Sequence, residues 1–429
     1  MSQDLEAKQG TRLLALGSIG LAIGVLVHCC SKGTNDILAW EHFARAIRMK
    51  GIWALYHDDV LFNHPPLMGW LARAALEFAD LTHLPFWLVF KSVPVLANVS
   101  IAFALRRIWE RSDVAGHGKA AGKAAFAAYG TALAPMLVAS YHGNTDGIAV
   151  ALLVWSLYFA VTRDRLFVAG LVLGAACNVK LIPLLAVLPA LAALRRKRDL
   201  QSFAGGLAFG VVPYLFVWAM TGADFLRNVF GYASSTELWG VHVLFSTLRA
   251  LPFVGETVVD GLHPWYFENG KFLLLAGIAI LAFVGRWSRI GFAELLAASM
   301  ALFLVLTPGF GVQYAIYPAP LMFAVSRAWG IAYSLIAGIY VAFVYASWSL
   351  PAFPLQASYR GYHPNLGYFG FLTWCVAAAF VVRCVRVPPR GEAFSAHVEG
   401  KQEAIRRDDR EDVRHVDPPD LQREAHADQ

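Results

Sequence analysis

Long apolar runs separated by short polar stretches dominate the chain. A run of about 17 to 25 apolar residues is long enough for an α-helix to cross the hydrocarbon core of a bilayer. The first run lacks a convincing small-residue cleavage site, so we interpret it as a retained span rather than a signal peptide. The pattern predicts an all-α polytopic membrane protein with about twelve spans, at residues 12–30, 85–105, 124–140, 147–162, 166–178, 179–194, 203–220, 271–285, 291–307, 315–326, 329–348 and 367–385.

The segment 166–194 allows two interpretations, because basic residues bracket both of its ends. One long tilted helix would put the two basic clusters on opposite sides of the membrane. A hairpin of two short helices that turns near Asn178 and Lys180 keeps both on one side, so we favour the hairpin. Broken helices of this kind are tolerated where their polar backbone faces a cavity.

Basic residues follow every second predicted span, which places all these clusters on one side if the N-terminus is cytoplasmic. Twelve spans then leave both termini inside, and the long segments 31–84, 221–270 and 349–367 outside. We divide the chain into a transmembrane domain, 1–386, and a tail, 387–429. The tail is dense in both charges and poor in large apolar residues, which predicts a disordered cytoplasmic extension.

Composition supports an integral membrane protein. Hydrophobic residues make up 57% of the 429 residues and charged residues 15%, and the mean hydropathy is +0.50, far too apolar for a soluble globular domain. The net charge of +6 fits orientation by positive cytoplasmic loops and does not suggest a nucleic-acid partner. The five cysteines lie in or beside apolar runs, and their spacing suggests neither a metal site nor a disulfide framework.

The first outer segment contains an amphipathic stretch, 35–47, followed by the motif "FNHPPL". One helical face carries apolar side chains and the other is charged, which predicts a helix lying along the outer membrane surface with Trp40 at headgroup level. Asp36 stands at the start of this helix, where it could serve as an N-cap, as a chemical group, or as both. Pro65 and Pro66 can open a second interfacial helix, 67–78.

Further polar residues gather on the same predicted side of the membrane. Lys180 is the sole ionisable residue between Arg165 and Arg195. Burying a lone ammonium in a membrane is costly, so Lys180 should face a polar cavity or an anion, or be paired structurally with a carboxylate. The other candidates lie in the first loop, in two short turns and in the last outer loop, and they are Asp58, Asp59, His64, His142, Asp146, Gln313, Tyr314, Arg360 and His363.

The order of Asp36, "FNHPPL", Lys180 in "GAACNVKLIPLL" and "TPGFGVQY" resembles the GT-C glycosyltransferases, multi-span enzymes that take a sugar from a polyprenyl-phosphate donor. The nearest likenesses are bacterial polyprenyl-phosphate-mannose-type transferases and dolichyl-phosphate hexosyltransferases of the endoplasmic reticulum. The likeness extends to about residue 385. Many members carry a carboxylate where this chain has Asn63. The resemblance therefore implies a first-loop base at Asp36, with Asp58 or Asp59 as alternatives.

The resemblance implies an inverting hexosyltransferase, with mannose favoured, whose site lies on the outer face of a membrane, here expected to be a bacterial plasma membrane. A phosphate leaving group needs no general acid, so one carboxylate that deprotonates the acceptor hydroxyl suffices. Lys180 and Arg360 are the first candidates for the donor phosphate, with His142 and His363 as weaker ones. The acceptor is a glycolipid, a glycan or a protein. No cofactor is required, although Asp58 and Asp59 leave a divalent cation possible.

Two other classes compete with this interpretation. A secondary transporter suits twelve spans with both termini inside, but transporters often have two similar halves, and here the loops differ strongly in length between the two sides. A polysaccharide polymerase or ligase would use a lipid-diphosphate donor. Donor identity therefore separates it from the transferase.

Overall fold

The computed structural model describes residues 2–111, 117–162, 165–231, 239–249, 256–349 and 366–386, and within them every regular element is a helix. The expected all-α class is thus confirmed. A π-helical turn at Leu137–His142 and 3₁₀ turns at Ile182–Ala186 and Val312–Ile316 connect some helices. The α-helices are α1 Ser2–Cys30, α2 Asn35–Asp58, α3 Pro66–Thr82, α4 Phe86–Arg111, α5 Lys119–Gly130, α6 Leu133–Met136, α7 Asp146–Thr162, α8 Leu166–Val179, α9 Val187–Ala193, α10 Lys197–Gly210, α11 Val212–Thr221, α12 Ala223–Phe230, α13 Val241–Arg249, α14 Glu256–Trp287, α15 Phe292–Leu306, α16 Ala319–Val325, α17 Arg327–Ser349 and α18 Leu366–Arg386.

Each predicted apolar run coincides with a helix or a bent pair of helices. In the described part of the chain, five helices are long and apolar enough to cross a membrane: α1, α4, α14, α17 and α18. The count rises to seven if two bent pairs are single spans: α5 with the segment 133–142, bent by 54°, and α10 with α11, bent by 42°. The remaining apolar helices have 10–17 residues, so the total of twelve crossings stays a prediction.

The chain turns back after α8 and turns again before α10. A Cβ at Gly206 would meet the carbonyl oxygen of Phe167, and a Cβ at Gly210 would meet that of Leu171, so residue numbers rise together along the two helices. The two helices are therefore parallel, and the segment between them must run back. Lys180 has an extended backbone (φ −147°, ψ 153°) that ends α8. The break thus falls where the predicted hairpin should turn.

The segment 31–84 contains helices at both predicted positions, 35–47 and 67–78. α2 contains a sharp bend at Gly51 (φ 82°, ψ 162°), a conformation that favours glycine. The face that carries Ile37, Trp40 and Ala44 is buried, but it packs on protein: the Trp40 ring lies 5.4 Å from that of Phe90 in α4. Trp40 is therefore not at an exposed headgroup position. The interfacial location of α2 and α3 stays a prediction.

The two ends of α4 contact different charged groups. Lys91 near the start of α4 contacts the residue that follows α1, whereas Arg327 stacks on Trp109 near the end of α4. Asp36 and His142 therefore lie near the start of α4, and Arg327 lies near its end. The tail 387–429 lies outside the described residues, and the two-part division of the chain stays a prediction.

Candidate active site

The turn between α6 and α7 brings polar side chains to this end of the bundle. It passes through the π-helical segment Leu137–His142 and then Gly143, whose φ of 73° lies in the left-handed region. A Cβ at Gly143 would lie 2.4 Å from Cγ of Lys91, so the position requires glycine. Asn144 Oδ1 accepts the backbone N–H of Asp146 at 2.9 Å, where α7 begins. Close packing and this hydrogen bond hold the turn in place.

Asp36 lies in the first turn of α2, but it does not cap that helix. The N-cap is Thr34, whose side-chain oxygen accepts the backbone N–H of Asp36 at 3.3 Å. The carboxylate makes other contacts instead: its Oδ2 accepts hydrogen bonds from His142 Nε2 at 2.9 Å and from Asn144 Nδ2 at 3.0 Å. Oδ1 accepts none from any described residue, and 40% of the side chain is exposed.

Opposing effects act on the pKa of Asp36. Burial raises it, whereas the charge and hydrogen bond of His142, the charge of Lys180 and the hydrogen bond of Asn144 lower it. The lowering effects dominate, and the pKa falls from 3.8 to about 2. Asp36 is therefore ionised at neutral pH, and its free Oδ1 can accept a proton.

His142 connects Asp36 to α17. Its side chain is 3% exposed, and its Nδ1 lies 2.7 Å from the hydroxyl of Tyr345. A carboxylate can only accept, so Nε2 donates to Asp36, and Nδ1 forms the other hydrogen bond of the ring, with the hydroxyl of Tyr345. His142 was a weaker candidate for the donor phosphate, and that role stays a prediction. Here both ring nitrogens have partners within the protein, and the ring orients Asp36.

Lys180 and Asp146 meet beside Asp36. Lys180 Nζ lies 3.7 Å from Oδ1 of Asp146, an ion pair longer than a hydrogen bond, and the lysine side chain is 15% exposed. Oδ1 also accepts the hydroxyl proton of Tyr317 at 2.8 Å. Oδ2 is buried and has no hydrogen-bond partner among the described residues. Asp146 is fully buried, so solvent does not reach its carboxylate, and Lys180 is the charged group beside it.

His64 of the proline motif belongs to the same group. Its ring centroid lies 4.4 Å from that of Trp40, and its backbone carbonyl accepts the hydroxyl proton of Tyr56 at 2.7 Å. Burial and the nearby charge of Lys180 lower the pKa of His64 well below 6.5, against the opposing effect of Asp36. His64 is therefore a neutral imidazole beside a carboxylate and an ammonium.

Lys91 is a fully buried residue that the sequence interpretation missed. Its Nζ donates to the carbonyl of Ser31 at 2.6 Å, and Ser31 Oγ in turn donates to the carbonyl of Tyr141 at 3.3 Å. Lys91 thus ties the end of α1 to the turn that carries His142. A single lysine inside the second apolar run was the available signal, and Tyr345 inside the eleventh run was a weaker one.

Asp58 and Asp59 form a different environment at the other end of α2. Asp58 pairs with Lys50 at 3.0 Å, and both side chains are more than half exposed. Asp59 caps the helix, accepts the backbone N–H of Leu61 at 2.9 Å, and lies 3.4 Å from His42. Neither carboxylate contacts a residue bonded to Asp36. Within the described ranges, no three His, Cys, Asp or Glu side chains are grouped closely enough to hold a metal ion.

The "TPGFGVQY" segment is anchored at its start. Four side chains hold the last carbonyls of α15 and the following proline: Trp239 at Leu304 (2.8 Å), Trp374 at Val305 (3.0 Å), Tyr266 at Leu306 (2.9 Å) and His242 at Pro308 (2.7 Å). Gln313 and Tyr314 follow in the 3₁₀ turn, with Gln313 partly exposed and Tyr314 buried. Arg360 and His363 lie outside the described residues.

Comparison with known proteins identifies one family. The family model described as Glycosyltransferase family 87 matches residues 72–308. The match extends from the middle of α3 to the loop after α15, and it includes His142, Asn144, Asp146 and Lys180 but not Asp36. Among the curated proteins, none matches this chain.

Proposed function

The chain belongs to glycosyltransferase family 87, and we propose that it transfers a hexose, with mannose favoured, from a polyprenyl-phosphate sugar to an acceptor hydroxyl. In this proposal the reaction takes place at the outer face of the membrane, C1 of the sugar is inverted, and Asp36 is the general base. Family membership favours a glycosyltransferase over a transporter.

The observation that carries this proposal is the arrangement of the Asp36 carboxylate. Oδ2 is held by His142 and Asn144, and Oδ1 is left without a hydrogen bond to any described residue. A general base needs both a fixed orientation and a free lone pair within reach of its substrate. Asp36 combines these properties with partial exposure, which would give an acceptor access to Oδ1.

The proposed step balances as follows. The acceptor oxygen forms a bond to C1 as the bond between C1 and the phosphate oxygen breaks, and the bonding electron pair leaves with the phosphate. The acceptor proton passes to Oδ1 of Asp36 and later to solvent. The products are a glycoside of inverted configuration and a polyprenyl monophosphate. No second carboxylate is needed, in contrast to glycoside hydrolysis.

A pKa of about 2 makes Asp36 a weak base. A weak base can take the proton late in the step, because the acceptor hydroxyl becomes acidic only as its oxygen bonds to C1. A good leaving group favours that order of events. Ionisation of Asp36 at every physiological pH ensures that the base is available without prior loss of a proton.

Lys180 is our candidate for the donor phosphate among the described residues, with Arg360 as a second candidate. An ammonium at the phosphate would stabilise the charge that develops there as the bond to C1 breaks. The neutral imidazole of His64, with Gln313 and Tyr314, is proposed to contact sugar or acceptor hydroxyls. We assign His142 to orienting Asp36 and Asp146 to Lys180, in place of the direct substrate contacts expected from sequence.

The test is transfer of radiolabelled mannose from polyprenyl-phosphate mannose by the purified full chain in lipid nanodiscs, supplied with a membrane glycolipid and glycan extract. We expect a labelled product whose anomeric configuration is inverted. Asp36→Asn should abolish most of the transfer. Retained configuration would refute the single-base mechanism, and transfer only from a lipid-diphosphate glycan would favour the polymerase or ligase class.

A further inference from the structure

Lys180 and Asp146 form a buried pair that the proposed reaction leaves unexplained. Asp146 is fully buried, and its Oδ2 has no hydrogen-bond partner among the described residues. A buried carboxylate with an unsatisfied oxygen is destabilising unless a nearby charge compensates it. Lys180 Nζ, 3.7 Å from Oδ1, supplies that charge. Such an incompletely satisfied pair suggests a functional role rather than a structural one.

The distance between the two groups indicates how they interact. At 3.7 Å the ammonium is too far from the carboxylate for a hydrogen bond, so Asp146 does not fix the direction of the lysine side chain. The directed hydrogen bond to Oδ1 comes instead from the hydroxyl of Tyr317, at 2.8 Å. What remains between Lys180 and Asp146 is attraction between opposite charges, which a competing anion can replace.

We infer that Asp146 is a counter-ion that competes with the lipid phosphate for Lys180 and thereby promotes release of the product. This inference rests on the proposed function, in which Lys180 binds the phosphate of the donor. When the site is empty, Asp146 neutralises the partly exposed ammonium of Lys180. A phosphate that binds must draw Lys180 away from Asp146. The phosphate therefore binds more weakly than it would if Lys180 had no carboxylate partner.

This competition matters most after transfer. The donor is a phosphodiester with one negative charge, whereas the product is a phosphomonoester with a charge of about −1.5 to −2 at neutral pH. The more highly charged product is attracted more strongly to Lys180 and would be retained without a competing carboxylate. Tyr317 controls the balance, because its hydrogen bond satisfies part of the charge on Asp146 and so weakens the hold of Asp146 on Lys180.

The inference predicts opposite effects for two substitutions in the same buried group. Asp146→Asn should tighten binding of polyprenyl monophosphate about tenfold and tighten donor binding less. Tyr317→Phe should weaken binding of the monophosphate about threefold, because the carboxylate loses its other partner and holds Lys180 more strongly. The matched control is Tyr333→Phe, since Tyr333 is also fully buried and donates to a backbone carbonyl, that of Ala315 at 2.8 Å.

The experiment is equilibrium binding of radiolabelled polyprenyl monophosphate to the full chain in lipid nanodiscs. Lys180→Met should weaken binding, and Asp146→Asn added to Lys180→Met should give no further tightening, because the competition no longer exists. In steady-state transfer, Asp146→Asn should lower both kcat and the KM for the donor, which general structural damage would not do. Thermal unfolding checks that each variant is folded, and Tyr317→Phe carries the test if Asp146→Asn fails to fold.

Weaker or unchanged monophosphate binding by Asp146→Asn would overturn the inference, as would tightening that persists alongside Lys180→Met. Equal weakening by Tyr317→Phe and Tyr333→Phe would also overturn it. These results leave the proposed transferase intact if the wild type still transfers sugar. If the wild type neither binds polyprenyl monophosphate nor transfers sugar from the donor, the proposed function fails and the inference with it.

Discussion

The two ends of α2 carry carboxylates of the same type in contrasting environments. Asp36 at its start is bonded to His142 and Asn144, which lie more than 100 positions away in the chain and are buried. Asp58 at its end pairs with Lys50 of the same helix, where both side chains are exposed. The first arrangement orients a carboxylate and shifts its pKa, whereas the second is an ordinary surface ion pair.

This difference teaches that residue type and proximity to a motif do not identify a base. Asp58 and Asp59 lie closer in sequence to "NHPPL" than Asp36 does, yet their partners are a surface lysine, an exposed histidine and a local backbone N–H. Asp36 gains its distinct chemistry from buried polar groups on other segments. A charged residue becomes a strong catalytic candidate when buried groups of the surrounding fold form hydrogen bonds to it.

The largest effect should come from replacing the carboxylates of the first loop one at a time. Asp36→Asn removes the proposed base and should lower kcat by about 10² to 10⁴-fold. Asp58→Asn, the matched control in the same helix, and Asp59→Asn, at its C-cap, should change kcat by no more than about twofold, because neither carboxylate contacts a residue bonded to Asp36. Rates of sugar transfer in nanodiscs provide the measurement. A greater loss in either control than in Asp36→Asn would reverse the comparison.

A smaller effect should come from the orienting histidine. His142→Gln should lower kcat/KM up to about a hundredfold through misplacement of the carboxylate. It should also raise the pKa of Asp36, because His142 is the main influence that lowers it against the effect of burial. The acidic limb of the pH profile of kcat/KM should therefore lie at higher pH in His142→Gln than in the wild type.

A reduced rate with no shift of the acidic limb would mean that His142 has a structural role only. Ser334→Ala is a suitable control, because Ser334 is a buried polar residue of α17 that has no contact with Asp36. Its pH profile should match that of the wild type.

The smallest effect should come from the surface pair. Asp58→Asn breaks the contact with Lys50, but exposed pairs contribute about 0.2 to 1 kcal/mol to stability, and often nothing measurable. Thermal unfolding of the full chain in detergent should therefore show a midpoint within a few degrees of the wild type. Salt should change the wild type and Asp58→Asn alike. A large loss of stability would show that the C-terminal part of α2 depends on this pair.

Much of the helical framework follows from sequence. The apolar runs mark the helices, the apolar face of α2 is the buried one, Pro66 opens α3, and the break at Lys180 lies where basic residues on both sides required a turn. These features depend on local periodicity, on backbone restrictions and on charge near helix ends, all of which are properties of short segments. The burial of Trp40 against α4 was missed, because an amphipathic face suits protein and membrane surfaces equally.

The site was only partly predictable. The sequence marks Asp36, His142, Asp146 and Lys180 as candidates, since polar residues next to apolar runs are conspicuous. Their pairing was not predictable, because each contact joins segments that are distant in the chain. Lys91 and Tyr345 carry no local signal beyond a polar group within an apolar run, although both support the group around Asp36.

By itself, the sequence determines that this is an all-α membrane protein with several carboxylates between its first two apolar runs, because hydrophobic length and periodicity are set by the residues themselves. Only the tertiary structure decides which carboxylate is oriented, which histidine orients it, and which aspartate balances Lys180. The physical reason is that the pKa and hydrogen bonds of a side chain depend on burial and on nearby charges. Those come from helices that meet only when the bundle is assembled.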